Sequence, residues 1–241
     1  MSLYARITGW IILLFGLAYF LIPHVGLTEF SLKARRGVYS LDAYAKVIGD
    51  PEFQATFGYS VVMALVTIAM GILIVVPTAF WVRLKMPWAR PYVEFLTLLP
   101  LVIPAIVIVF GYIRLYNTSS FLPLTGSATG TNLLLAFGYT VLALPYMYRA
   151  VDTGLRTIDV ATLTEAAQSL GAFLTFAIVI GEFTLAALLD RPAFGPYLQR
   201  IGANKPYEPF ALAVISFAIT WACMGLIQLV TRFSKHTKAR P

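Results

Sequence analysis

Long apolar runs separated by short charged stretches constrain the fold of this chain more than any other feature of its sequence. Apolar and aromatic residues make up 59% of the chain and charged residues 12%, whereas soluble domains carry roughly 25% charged residues. A helix needs roughly 20 mostly apolar residues to cross a hydrocarbon core of about 30 Å. Isolated strands cannot satisfy their backbone in lipid, and the runs lack the alternation of barrel strands. The sequence therefore predicts an all-α membrane protein.

Six stretches qualify as transmembrane helices, and we interpret residues 1–241 as a single transmembrane domain. The stretches lie near residues 7–25, 57–81, 95–113, 131–148, 172–189 and 210–230. The first stretch is too long for a cleavable signal and no small-x-small site closes it, so we count it as a span. Prolines inside the stretches predict kinked helices, either as packing irregularities or as gating hinges. These prolines are Pro77, Pro100, Pro104 and Pro145.

The basic residues determine the expected orientation in the membrane. The chain has 18 Lys and Arg against 11 Asp and Glu, a net charge of +7. An inside N-terminus places Arg83, Lys85, Arg90 and the basic C-terminal tail on the cytoplasmic side, as the positive-inside rule favours. Loop ends that face anionic lipid account for the net charge better than a nucleic-acid partner does. We therefore expect membrane lipid as a partner, no nucleic acid, and cytoplasmic N- and C-termini.

The residue types needed for metal binding or covalent catalysis are scarce. Cys223 is the single cysteine, and the two histidines, His24 and His236, lie at opposite ends of the chain. No Cys/His set has metal-ligand spacing, and no span pairs a Ser or Cys convincingly with a His. We expect no metal site and no catalytic residues, which leaves an intramembrane enzyme as the weaker alternative.

The polar stretch from Val151 to Ala172 is the most informative segment between the predicted spans. Thr162 followed by Glu165 fits the S/T-x-x-E capping box of a helix start, and Gly171 is the expected C-terminal stop. The predicted short helix has an apolar stripe with two small residues, which another protein could approach closely. An amphipathic connector that lies on the bilayer explains the spacing equally well. The stripe consists of Leu163, Ala166, Ala167 and Leu170.

In this segment the sequence resembles a known family. Glu165, Ala166 and Ala167 followed by Gly171, in a predicted inward-facing loop after the fourth of six spans, resemble the EAA loop of permease subunits of bacterial ABC importers. The sequence LRTID ahead of the motif and GEF in the next stretch are similar to the spermidine/putrescine branch. The resemblance implies a type I importer permease of the bacterial inner membrane. Its expected function is to form the translocation pathway, with a polyamine such as spermidine or putrescine as cargo.

The resemblance also implies partners and roles for individual residues. In the family the loop fits into a cleft of the ATP-binding subunit, so residues 162–172, hereafter the coupling segment, would couple this chain to an ATPase. The implied coupling residues are Glu165, Ala166, Ala167 and Gly171. A second permease subunit, identical or different, and an extracytoplasmic substrate-binding protein would complete the assembly. The partner ATPase would hold the ATP, so we expect no cofactor on this chain.

The coupling segment departs from the family pattern at its C-terminal end. In the family, about nine residues and an Ile-x-Leu-Pro sequence follow the motif glycine, whereas here Gly171 and Ala172 lead directly into an apolar stretch. At about 1.5 Å per residue, residues 172–189 give a helix of about 27 Å, barely enough to cross. The shortened region favours a transport-defective or regulatory membrane subunit as the alternative to a working permease.

Glu182 is the one acid deep within a predicted span. An ionisable group inside the membrane is a functional candidate by default, and an aromatic neighbour such as Phe183 would add cation–π attraction to a polyamine. Glu182 and Phe183 are therefore the candidate residues of the substrate pathway. Alternatively, Glu182 lies near the outer interface or pairs with a basic group of a partner.

Overall fold

A computed structural model describes residues 3–35, 38–155 and 160–238, although the side chains of Leu3, Ala5 and residues 160–170 and 223–238 lie outside the description. The regular elements of the described residues are helices and two 3-10 turns, Pro87–Ala89 and Leu124–Gly126. The all-α prediction is therefore confirmed for the described part of the chain. The helices that the structure describes are α1 (Leu3–Leu32), α2 (Asp42–Ile48), α3 (Pro51–Leu84), α4 (Arg90–Val102), α5 (Ala105–Leu115), α6 (Ala128–Leu155), α7 (Val160–Gly181), α8 (Thr184–Leu188), α9 (Phe194–Asn204) and α10 (Glu208–Lys238).

Three of the described helices are long and apolar enough to cross a membrane. They are α1 from Arg6, α3 and α6, and they contain the first, second and fourth predicted spans. Pro87–Val102 and α5 add a fourth candidate if they form one bent span. Shorter apolar segments, Gly171–Gly181 and Glu208–Ala222, overlap the fifth and sixth predicted spans. The described residues therefore support a multi-pass membrane protein, but they do not confirm the count of six.

The third predicted span is not a single straight helix. A helix break at Ile103 and Pro104 bends the chain by 97° between α4 and α5. Ile103 is extended, with φ −87° and ψ 114°, because the ring of a following proline disfavours the α-helical conformation. Pro77 and Pro145 lie inside α3 and α6, and both helices continue through them. Proline therefore divides one of the predicted spans and leaves two others continuous.

The chain divides into two compact units, of which the first comprises residues 1–53 and 198–219. In this unit the rings of Phe30 and Phe210 stack with centroids 5.3 Å apart. The imidazole of His24 lies 4.4 Å from the ring of Phe217. Most of the apolar side chains along α1 are exposed, which suits a helix surrounded by lipid.

The second unit comprises residues 54–197 and 220–241. Its core is formed by apolar side chains of α3, α5, α6, α7 and α8, with α7 packed along α6. Buried members of this core are Ala64, Val109, Leu135, Tyr139, Val179, Leu185 and Ala186. A second cluster lies nearer the C-terminal ends of α3 and α6 and contains Val75, Ala79, Ala143, Met147, Val151 and Leu155.

Met147 on α6 packs against glycines of two neighbouring helices. A Cβ placed on Gly71 of α3 would overlap the Sδ of Met147. A Cβ placed on Gly171 of α7 would lie 3.6 Å from the Cα of the same methionine. Small residues at such crossings allow membrane helices to approach closely. The two glycines thus position α3 and α7 against α6.

Candidate functional site

The coupling segment lies almost entirely within the first half of α7. Glu165, Ala166 and Ala167 are on this helix, while their side chains and residues 156–159 lie outside the described part of the chain. The helix begins at Val160, so the prediction that Thr162 caps its start is wrong. A capping box requires a non-helical residue at the cap position, and Thr162 is already inside the helix.

Gly171 does not end the helix, which corrects the prediction of a C-terminal stop. Helix α7 continues through this glycine to Gly181. Gly171 is buried against Met147 and Ala150 of α6, so its small size is used for helix packing. A glycine in a helical pattern fits a packing site as well as a stop, and the sequence pattern did not distinguish the two.

The continuity of α7 joins the coupling segment directly to an apolar helix. The 22 residues of this helix extend about 33 Å at 1.5 Å per residue. This arrangement follows from the short sequence between Glu165 and the fifth predicted span, where the family pattern has a longer connector. The N-terminal end of α7 is therefore connected to the core residue Val179 by continuous helix, without an intervening loop.

Asp152, in the last turn of α6, connects three helices through ion pairs. Its Oδ1 lies 3.5 Å from Nη1 of Arg83, in the last turn of α3. Its Oδ2 accepts a hydrogen bond of 3.2 Å from Nη2 of Arg90, the first residue of α4. The Nε of Arg90 also donates to Oε1 of Glu94 at 2.7 Å. The Asp152 carboxylate thus holds the turn between α3 and α4 against the end of α6.

Two cavities flank the Asp152 carboxylate. One has a volume of about 530 Å³ and is lined by the aliphatic parts of α3, by both arginines and by Pro87. The other has about 310 Å³ and is lined by Glu94, Thr97, Tyr148 and Arg149, among others. The side chain of Asp152 is only 13% exposed, so the group is shielded yet has space on either side.

In the sequence, Arg83 and Arg90 serve only as orientation signals, and nothing in the local pattern singles out Asp152. Asp152 pairs with residues of α3 and α4 that are distant in the chain, 62 positions away in the case of Arg90. No local spacing rule links such partners. The common location of all three at predicted cytoplasmic helix ends was the available signal.

Glu182 occupies the break between α7 and α8. Its Oε1 accepts a hydrogen bond of 2.8 Å from the backbone N–H of Thr184, and its Oε2 accepts one of 2.9 Å from the N–H of Leu185. The first N–H groups of a helix lack acceptors within the helix. The Glu182 carboxylate is the acceptor for two such groups of α8. Phe183 beside it is 37% exposed. The structure therefore gives Glu182 a capping role, and the substrate pathway through Glu182 and Phe183 stays a prediction.

The chain around this break is tightly packed. A Cβ placed on Gly195 would lie 2.6 Å from the backbone oxygen of Glu182 and 3.0 Å from the Cα of Phe183. Asp190, after α8, has a φ of 52°, in the left-handed region that L residues rarely adopt. The backbone oxygen of Asp190 accepts a hydrogen bond of 2.8 Å from Nε of Arg191. The chain at this break thus has a defined conformation with close backbone contacts.

No family model matches the chain. Over 136 residues it is 29% identical to a protein of Sinorhizobium fredii that is named a probable ABC transporter permease. This similarity supports a relationship between this chain and ABC transporter permeases. The matched region covers 56% of this chain and 23% of the length of that permease. Together with the apolar helices, the similarity supports a multi-pass membrane protein.

Proposed function

We propose that this chain is a permease subunit of an ATP-driven importer in a bacterial inner membrane, with six membrane crossings and cytoplasmic termini. The observation that carries the proposal is the similarity over 136 residues to a protein named a probable ABC transporter permease. The multi-pass helical architecture supports it. The proposed partners are an ATP-binding subunit, a second permease subunit and an extracytoplasmic substrate-binding protein.

In this proposal the coupling segment on α7 is the contact with the ATP-binding subunit. Ala166 and Ala167 leave room for the close approach of another backbone, as small residues do at helix crossings. Glu165 precedes these alanines by one and two residues, which is about 100° and about 200° around a helix, and it gives the segment a negative charge near the start of α7. Gly171 seats the same helix on α6.

Transport then follows from a shift between two global states. ATP, held by the partner, favours the closed form of the ATPase pair, which displaces the two coupling segments of the permease pair. Because α7 runs from the segment to Gly181 without a break, this displacement reaches the core of the second unit. Rigid-body motion of helices would open the pathway to the other side of the membrane.

A polyamine such as spermidine or putrescine is the cargo that the sequence resemblance implies. Part of the hydrogen-bonding capacity of Glu182 is already used by the backbone of α8. Each carboxylate oxygen can accept more than one hydrogen bond, so acceptor positions remain for a cationic amine. Contact of a polyamine with Glu182 and Phe183 therefore stays in the proposal as its most specific element.

The second candidate function is a regulatory or transport-defective membrane subunit. The observation in its favour is the direct continuation of the coupling segment into an apolar helix. Such a subunit would bind the ATPase without driving transport.

The decisive experiment is purification of the full chain together with ABC-type ATP-binding subunits from the same genome, each tested in turn. The proposal expects one stable complex whose ATP hydrolysis rises when a binding protein and its substrate are added, with spermidine and putrescine as the first probes. A complex that forms but hydrolyses and transports nothing would favour the regulatory subunit. Failure of every ATP-binding subunit to associate would overturn both.

A matched pair of variants locates the contact. Ala167 lies on the predicted apolar stripe, whereas Gln168 lies about 100° around the helix from it. We expect Ala167→Trp to abolish association by steric exclusion and Gln168→Trp to leave it intact. Equal association of both variants would show that the ATPase does not dock on the stripe.

A further inference from the structure

Asp152 lies where the helix that leads to the coupling segment meets the turn between α3 and α4. It belongs to the last turn of α6, and the N-terminal end of α7 with the coupling segment follows a few residues later. Arg83 and Arg90 stand on the two sides of the turn and contact different oxygens of its carboxylate. The side chain of Asp152 therefore connects the end of α6 with the end of α3 and the start of α4.

The two ion pairs differ from ordinary surface pairs in their environment. The Asp152 side chain is largely shielded, while both arginines are partly exposed. Exposed pairs contribute little, but removal of a shielded carboxylate takes away the charge that holds both arginines at the end of α6. Neutralising Asp152 should therefore release the turn from α6.

The arrangement also permits movement without loss of all partners. Arg90 has Glu94 as a second acceptor on its own helix, at 2.7 Å. The distance of 3.5 Å between Nη1 of Arg83 and Oδ1 of Asp152 exceeds the length of about 2.7–2.9 Å that is usual for a charged hydrogen bond. Asp152 also lines two cavities, of about 530 Å³ and about 310 Å³. The turn between α3 and α4 is thus held to α6 by ion pairs, whereas the contacts at Met147 are close van der Waals packing.

We propose that Asp152 is a positioning residue that transmits displacement of the coupling segment into α3 and α4 through Arg83 and Arg90. The inference rests on the proposed function, because the ATP-binding subunit supplies the displacement. It adds a residue outside the coupling segment to the transport mechanism.

The tie itself is testable on the full chain alone, without an ATPase. With Cys223→Ser as background, spin labels on cysteines introduced at Trp88 in the turn and at Tyr146, an exposed position of α6, report the distance between the turn and α6 by pulsed electron paramagnetic resonance in lipid nanodiscs. We expect a narrow distribution in the parent chain, a broad one in Asp152→Asn, and a narrow one again in Asp152→Glu, which keeps the charge. A distribution in Asp152→Asn as narrow as in the parent would overturn the inference.

The transmission is tested in the complex with the ATP-binding subunit, by the number of substrate molecules transported for each ATP hydrolysed. We expect Asp152→Asn to lower this ratio about fivefold or more, the range of a typical coupling between sites, with the ATPase still bound. Asp42→Asn, which removes a carboxylate from the ion pair with Arg35, is the matched control and should leave the ratio unchanged. A parental ratio in Asp152→Asn would overturn the inference while leaving the proposed function intact.

Additional variants keep the test decisive if Asp152→Asn does not accumulate in membranes. Arg83→Gln and Arg90→Gln each keep the other arginine on the carboxylate and should each give an intermediate ratio and an intermediate width of the distance distribution. Parental values in both would overturn the inference. If no ATP-binding subunit associates with the parent chain, the proposed function fails, and the spin-label distances still decide whether Asp152 ties the turn to α6.

Discussion

A Cβ built on Gly171 of α7 would lie 3.6 Å from the Cα of Met147 on α6. That distance is an ordinary van der Waals contact, so a methyl group fits there and a larger side chain does not. The local sequence pattern predicts that this glycine ends a helix, whereas its position shows a helix-packing contact.

The first prediction separates these two roles of Gly171. We expect Gly171→Ala to stabilise the protein by about 1 kcal/mol, because alanine is the better helix former and its methyl group fits. Gly171→Leu should destabilise it by about 1–3 kcal/mol through overpacking against Met147 and Ala150. Thermal unfolding in detergent measures both. A loss of stability in Gly171→Ala would indicate that a helix stop is needed at this position.

The second prediction concerns the close contact at Gly195. Because the added Cβ would meet backbone atoms of Glu182 and Phe183, Gly195→Ala should lower the free energy of unfolding by about 1–3 kcal/mol. Gly202, on the same helix α9, has open space around its Cβ position. Gly202→Ala is therefore the control, and we expect no loss of stability. Equal effects of the two variants would refute the close contact.

The third prediction addresses the capping role of Glu182. Glu182→Ala should cost about 1 kcal/mol, the usual effect of losing a helix cap, and Glu182→Gln should cost less because its amide oxygen still accepts a hydrogen bond. Hydrogen exchange at the amides of Thr184 and Leu185 should accelerate in Glu182→Ala. Unchanged exchange at both amides would contradict the capping role.

The fourth prediction asks whether Glu182 also contacts a cationic cargo. If it does, Glu182→Gln should weaken the stimulation of ATP hydrolysis by spermidine in the reconstituted complex, although most of the cap is kept. The comparison with spermidine-free hydrolysis separates this effect from loss of structure. Parental stimulation in Glu182→Gln would leave the capping of α8 as the role of this carboxylate.

The helical class and the positions of several helices follow from the sequence because apolar runs longer than a bilayer core have few other solutions. The structure places α1, α3 and α6 where these runs predict them. The two ends of α7 were harder to predict. Thr162, Glu165 and Gly171 each match a local terminus pattern, yet the helix extends beyond them in both directions, and Gly171 packs against α6.

The functional residues were predictable only in part, and for a physical reason. Glu182 stands out as an acid among apolar neighbours, but its role depends on a helix break whose position the local pattern does not reveal. Asp152 gave no such signal, because its partners come from α3 and α4. Contacts between residues that are distant in the sequence arise from helix packing, which a single sequence does not encode in any local spacing.

The most direct test of the account is photo-cross-linking between the coupling segment and the ATP-binding subunit. A photoreactive amino acid is placed at Ala167, and in a separate variant at Gln168 as the control, in the purified complex with and without ATP. The account predicts a covalent adduct between position 167 and the ATP-binding subunit, in a yield that changes with nucleotide and exceeds that at position 168. Absence of an adduct from position 167 in every nucleotide state would contradict it.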